Sequence, residues 1–197
     1  LVASSRASGF DGPTSFDFGT ERFRMSKAEF FYDRLGEGRQ VGIKANLEFT
    51  YDVDPQALQP LLKVTVDGAA LSGVRVAGTS RGRVIAVELG AAQQTERQRE
   101  IAVEIDQELV SPETNTHLVM ERPFAFTLPP LGELQIHGHD FGFDGQQGWI
   151  RVRTSQEVDA EAVKRSVRLE PVRPYAIQAD NGGFTLTHFP SATSPAI

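Results

Sequence analysis

A chain of 197 residues, 40% hydrophobic and 23% charged, is long enough for one large or two small domains with a buried core and is no disordered tail. No window nears the roughly 18 uninterrupted apolar residues of a membrane-crossing helix, and a net charge of −6 speaks against a nucleic-acid partner, because phosphate neutralisation needs clustered Lys and Arg. With no cysteine, disulfides, thiolate nucleophiles, thiolate metal sites and thioesters are all excluded.

Residues 1–21 read as an irregular lead-in or linker, rich in Ser, Gly, Phe and Asp, with Pro13 and three glycines as breakers. Leu1 to Gly9 has no basic stretch followed by an apolar one, so the chain reads as a mature or excised piece. From Arg22 the texture changes. Val41, Ile43, Ala45, Leu47, Phe49 and Tyr51 alternate with polar residues or glycine, which puts the apolar side chains on one face of a strand. Leu62, Val64 and Val66 repeat the pattern before Asp67-Gly68, a dipeptide suited to a tight hairpin. Ile85, Val87 and Leu89 form the next strand, and the polar run Gln93 to Glu100 reads as a loop. Ile101, Val103 and Ile105 alternate in turn, although good helix formers over Ile101–Val110 leave a short helix as the competing reading there. Phe124, Phe126 and Leu128 close the series before Pro129-Pro130. Short strands at this spacing predict an all-β fold, a sandwich or small barrel.

An internal repeat bears on the domain count. Val53-Asp54-Pro55-Gln56-Ala57-Leu58 followed by Leu62-Lys63-Val64 returns 105 positions later as Val158-Asp159-Ala160-Glu161-Ala162-Val163 followed by Val167-Arg168-Leu169. The unit is a strand, a one-turn helical link capped by aspartate, and a second strand. Upstream, the Ala45, Leu47, Phe49 face matches Ile150, Val152, Thr154. The boundary then falls at Pro129–Gly132, with a first β-sandwich domain over 22–128 and a second over 131–197. The second is shorter than the repeat implies. Either it lacks its last strands, leaving an open edge at Phe184 to Thr187 that recruits another strand, or it is a smaller variant of the first.

Through Leu47 to Val66, Ile150 to Leu169 and the strand Phe184 to Thr187, the chain resembles the tandem macroglobulin-type, Ig-like β-sandwich domains of bacterial alpha-2-macroglobulin-like proteins. The resemblance implies two tandem antiparallel sandwiches in the N-terminal scaffold of a periplasmic or cell-surface protease trap. Their partners would be neighbouring domains of a larger parent chain and, through the parent, target proteases. It implies no catalytic residue and no cofactor in this segment. The thioester that such proteins carry elsewhere has no place in a cysteine-free chain, and no bait segment is assigned. Generic Ig-like surface modules for adhesion or glycan binding share the strand–connector–strand unit, and that alternative stays open.

Candidate chemistry is sparse. His137 and His139, at alternate positions on a strand beside Asp140, suggest a metal pair facing one way. Against this, Leu134 and Ile136 mark the histidine parity as the wet face. Asp52 with Asp54, Glu157 with Asp159, and Asp140 with Asp144 are oxygen ligands of the kind calcium takes, but helix capping and turn formation explain them with less machinery. Ser155 and Ser166 lack a nucleophile-elbow context, and Asp140-Phe141-Gly142 lacks the rest of a kinase signature, so no enzyme is expected. Trp149, with Arg151 and Arg153 on the parity opposite Ile150 and Val152, marks a contact surface: a cation–π cover, a docking face for the neighbouring domain, or a stacking platform for sugars.

Overall fold

The computed structural model describes residues 21–34, 40–172, 174–180 and 182–189. Its elements in chain order are β1 (Met25–Arg34), β2 (Val41–Val53), α1 (Pro55–Leu58), β3 (Leu62–Val66), β4 (Ala69–Ala70), β5 (Arg75–Val76), β6 (Gly82–Ala91), β7 (Arg99–Ile105), β8 (Phe124–Leu128), β9 (Ile136–Phe143), β10 (Gly148–Thr154), α2 (Ala160–Ser166), β11 (Ala176–Asp180) and β12 (Gly183–Phe189). The protein is all-β in character. Its strands form three antiparallel four-stranded sheets, ordered β1-β2-β6-β5, β4-β3-β7-β8 and β11-β12-β10-β9.

The first two sheets share one hydrophobic core. Period-two alternation turns Ala45, Leu47 and Phe49 of β2 and Ile85, Val87 and Leu89 of β6 inward, against Val64 and Val66 of β3 and Ile101, Val103 and Ile105 of β7. Phe30 of β1 closes one side with its ring centroid 5.2 Å from that of Phe126 on β8. Asp67 (φ 51°) and Gly68 (φ 79°) make the expected tight turn between β3 and β4. Ile101–Ile105 is strand, not helix, and pairs with both β3 and β8.

A smaller core lies beyond Pro129-Pro130. Phe184 and Leu186 of β12 pair with Val152 and Ile150 of β10, and Val163 of α2 packs on that face. The repeated connector appears in both halves. Asp54 caps α1 by accepting the Gln56 N–H, and Asp159 caps α2 by accepting the Ala162 N–H. The match ends there, since Val167 to Leu169, the counterpart of β3, is not a strand.

One further expectation is corrected. The segment Phe184 to Thr187 is no open edge, because β12 lies between β10 and β11 and is paired on both sides. The open edges of that sheet are β9 and β11. The Pro129–Gly132 segment, where the boundary is expected, is anchored to its surroundings. Pro129 is buried, the Leu131 N–H donates to the Thr95 carbonyl at 2.7 Å, and the Gly132 N–H donates to Gln156 Oε1 at 2.9 Å. The irregular lead-in expected over residues 1–21 lies outside the described residues, apart from Glu21. Among the described residues, no helix is long and apolar enough to cross a membrane.

Candidate functional site

The predicted contact residues sit on the β9–β10 hairpin. Its turn is held by Asp144, whose carboxylate accepts the N–H groups of Gln146 at 2.9 Å and Gln147 at 2.8 Å. Those bonds hold the Asp144 carboxyl below its usual range. From this turn β10 projects Trp149, Arg151 and Arg153 to one face and Ile150 and Val152 to the other, as the alternation predicts. Trp149 stands opposite Gly142. Its indole lies so close over that glycine that a Cβ there would come within 2.5 Å of Cζ2.

Arg153 does not join an open platform. Its guanidinium is bracketed by Glu29 of β1 and Asp140 of β9, and its side chain is 15% exposed. Lys27 reaches the same Glu29 carboxylate at 2.6 Å, which makes a four-membered charge cluster between the two parts of the molecule. The hydrogen bond from Arg153, before any through-space effect, holds the Asp140 carboxyl below its ordinary range. Arg151 is exposed on the same face, and its charge also bears on Asp140. The cation–π contact in the structure lies elsewhere, with Arg83 6.0 Å from the Tyr51 ring centroid.

The histidines are parted by a break in the ladder. Arg153 pairs with Gly138 but Thr154 pairs with Ile136, so His137 falls in a bulge that disrupts the alternation. Its ring packs edge-on against Phe126 with centroids 5.1 Å apart, Nε2 is enclosed, and burial lowers its pKa despite the opposing pull of Glu29. His139 stands opposite Val152 and is exposed. The expected wet face holds for His139 but not for half-buried His137, and Leu134 and Ile136, expected on the dry face, are 53% and 66% exposed.

Asp140 therefore serves an arginine rather than a metal pair. Among the described residues no group of three His, Asp or Glu side chains is placed to hold a metal ion. Of the other acids weighed as calcium ligands, Asp54 and Asp159 cap helices, Asp144 holds its turn, Asp54 also meets Arg81 at 3.2 Å, and Asp52 lies 3.9 Å from Arg83.

What alternation alone does not reveal is the surface that Arg153 meets. The outer face of β1 carries Phe31, 2% exposed, whose ring lies over Gly182. Gly182 has φ +78°, and a Cβ there would fall 2.6 Å from the Phe31 ring, so both conformation and space call for glycine. Beside this contact the edge of β1 accepts a short parallel segment. The Tyr32 N–H donates to the Ser155 carbonyl at 2.9 Å, and the Glu157 N–H donates to the Tyr32 carbonyl at 2.8 Å. Ser155, 1% exposed, is structural: its hydroxyl accepts the Gln135 N–H at 3.0 Å and donates to the Glu133 carbonyl at 3.2 Å. A cavity of about 490 Å³ flanks this seam, bordered by Tyr32, Asp33, Gln156 and Glu157. A larger open groove of about 920 Å³ lies at the other end of β1, with Arg22, Arg24, Arg122, Glu21 and Glu121 around Met25 and Phe124. In the sequence, Phe31 shares its parity with Lys27, Glu29 and Asp33, so one apolar residue among charges was the sole hint of this second packed face.

Compared with protein-family models, curated proteins and solved structures, the chain matches none.

Proposed function

We propose that this chain is a non-catalytic scaffold segment of a bacterial alpha-2-macroglobulin-like protease trap, made of two tandem Ig-like β-sandwich domains of which the second is the smaller. On this reading it works in the periplasm or at the cell surface, with neighbouring domains of a larger parent chain as its direct partners and target proteases reached through the parent. The observation that carries the reading is the seam. A frame must hold its modules in fixed relation while other parts of the protein move, and here the second core is tied to the β1 edge by backbone bonds at Tyr32, by the Phe31–Gly182 contact and by the Arg153 cluster. The capped connector recurring at Asp54 and Asp159 adds support, because a tandem of related modules repeats its connectors.

The test is functional. Incubated with a panel of endopeptidases and with chromogenic ester, peptide and glycoside substrates, the chain should neither inhibit nor turn over any of them. Stoichiometric inhibition of one protease, or steady turnover of one substrate that survives repurification, overturns the scaffold reading.

A second reading has its own observation. The Trp149 indole covers Gly142 beside exposed Arg151 and stays partly exposed itself, a surface on which a pyranose ring can stack. An Ig-like surface module for adhesion or glycan binding would bind polysaccharide through this indole, and Trp149→Ala would abolish retention on an immobilised-polysaccharide column. Equal mobility of wild type and Trp149→Ala on every polysaccharide removes that reading.

A further inference from the structure

We propose that β9 is the docking edge for a second copy of this chain, paired antiparallel to the β9 of that copy so that Phe141 faces Phe141. This rests on β9 alone and not on the scaffold reading.

Among the described residues β9 is a terminal strand of its sheet, with one row of backbone groups that no described strand pairs. Open edges are usually guarded by Lys, Pro, an outward charge or a covering loop. Ile136–Phe143 contains neither Lys nor Pro, and its one carboxylate, Asp140, is engaged by Arg153. The face that carries the second core runs on across this strand without cover. Phe141 and Phe143 stand opposite Ile150 and Gly148, on the side packed by α2, yet they are 77% and 56% exposed, and Ile136 at the far end is 66% exposed. An aromatic row of this kind beside a free edge is what a strand-addition interface uses: backbone bonds supply the joint and alternate side chains the specificity.

Electrostatics suits a second copy of β9 in one register. In an antiparallel pair, residues directly opposite lie on the same face, and a two-fold axis normal to the sheet pairs odd positions with odd and even with even. A pairing centred on Asp140 sets two carboxylates against each other. One centred on Gly142 sets Asp140 against Asp144. Like charges directly opposite disfavour both. A pairing centred on His139 sets Phe141 against the bulge at His137, whose ring is already packed on Phe126. Centred on Phe141, the joint places Phe141 against Phe141, Phe143 against His139 and Asp140 against Gly142, with no carboxylate facing another. The β9 sequence is thus compatible with itself in this register, and the two sheets become one continuous eight-stranded sheet.

The lack of any native cysteine makes the test clean. At the centre of the joint, Cα atoms of opposed residues lie about 4.5–5.5 Å apart, inside the window that a disulfide needs. Phe141→Cys should therefore cross-link to a covalent dimer under mild oxidation roughly tenfold or more faster than Phe143→Cys or Val172→Cys, because pairing raises the effective thiol concentration only at the centre. Val172 is 93% exposed and lies away from β9, so it reports the collisional rate. Sedimentation of the unmodified chain should show a concentration-dependent dimer that Phe141→Lys abolishes without a change in circular dichroism. A wild type that stays monomeric up to about 0.5 mM, where a complex of Kd ~0.1 mM would be largely formed, overturns the proposal. So does a dimer that persists in Phe141→Lys, or equal cross-linking of all three cysteine variants. A monomer whose β9 amides are strongly protected from hydrogen exchange would mean that another segment of the same chain covers the edge, and overturns it as well.

Discussion

At the scale of single residues, the contacts that decide the second half of the molecule are made where a side chain is missing. Gly142 lets the indole of Trp149 lie on the sheet, and Gly182 lets Phe31 approach. Gly142→Ala would push a methyl group into the indole and cost about 1–3 kcal/mol of stability, the usual range for overpacking. Trp149 is the sole tryptophan, so its emission should shift to the red in that variant while the far-ultraviolet spectrum stays strand-like. An unshifted spectrum would mean that the ring does not rest there. His137 gives a pH signature. Burial holds its folded pKa below the ordinary value of 6.5, so the folded state takes up its proton less readily than the unfolded state. The stability linked to this histidine is complete above pH 6.5 and drains away as pH falls through and below that value. The groups that face it are Glu29, whose charge opposes the shift, and the Phe126 ring. Asp140, also lowered, contributes in the same direction over the more acid carboxylate range. Melting temperatures taken from pH 8 downward should therefore fall in two stages, and His137→Phe should remove the first stage only.

At the scale of elements, the legible strands were those whose two faces differ in polarity. β2, β3, β6, β7 and β8 each bury one side chain in two against a single core, so period two is plain in the letters. The aspartate-capped α1 and α2 were legible too, because a cap is local chemistry. β1 was not, since Phe30 and Tyr32 face the main core while Phe31 packs on the other half, and a strand buried on both faces shows no alternation. β9 misled for a different reason. Its bulge at His137 exchanges faces midway, so the parity that marked Ile136 as dry and His137 as wet is inverted. For the candidate site, the common face of Trp149, Arg151 and Arg153 could be read from spacing, but the carboxylates that claim Arg153 lie on β1 and β9, and no local pattern links them. Arg153→Met keeps the length of the side chain and removes its charge. It should cost roughly 2–3 kcal/mol, less than the ~3–5 of a fully buried pair, because Asp140 remains half-exposed to water. Pairing that variant with Glu29→Gln in a double-mutant cycle should return a coupling well above the ~0.2–1 kcal/mol of a surface pair; a value inside that range would demote the cluster to surface electrostatics.

At the scale of the whole molecule, the second core is too small to stand alone. Among the described residues its fully buried apolar side chains are Val163, Phe184 and Leu186. Beyond these three side chains, the segment is held against the β1 face, through Phe31, the Tyr32 backbone bonds and the Arg153 cluster. Two consequences follow. The intact chain should melt in one transition, because the small core has no stability of its own to lose separately. Thermolysin, which cuts before residues such as Leu131, should spare Pro129–Gly132 in the wild type, where Pro129 is buried and Leu131 and Gly132 donate their amides. Phe31→Ser removes the apolar half of the seam without touching the larger core, whose buried residues run from Phe23 to Leu128 and do not include Phe31. In that variant hydrogen exchange should lose most of its protection at Ile150–Val152 and Phe184–Leu186 while Ile101–Ile105 keeps nearly all of its own, and the 129–132 segment should become a cleavage site. Unchanged protection at Ile150–Val152 would show that the small core folds by itself, and uniform loss at Ile101–Ile105 would show that the two cores unfold as one even without the seam.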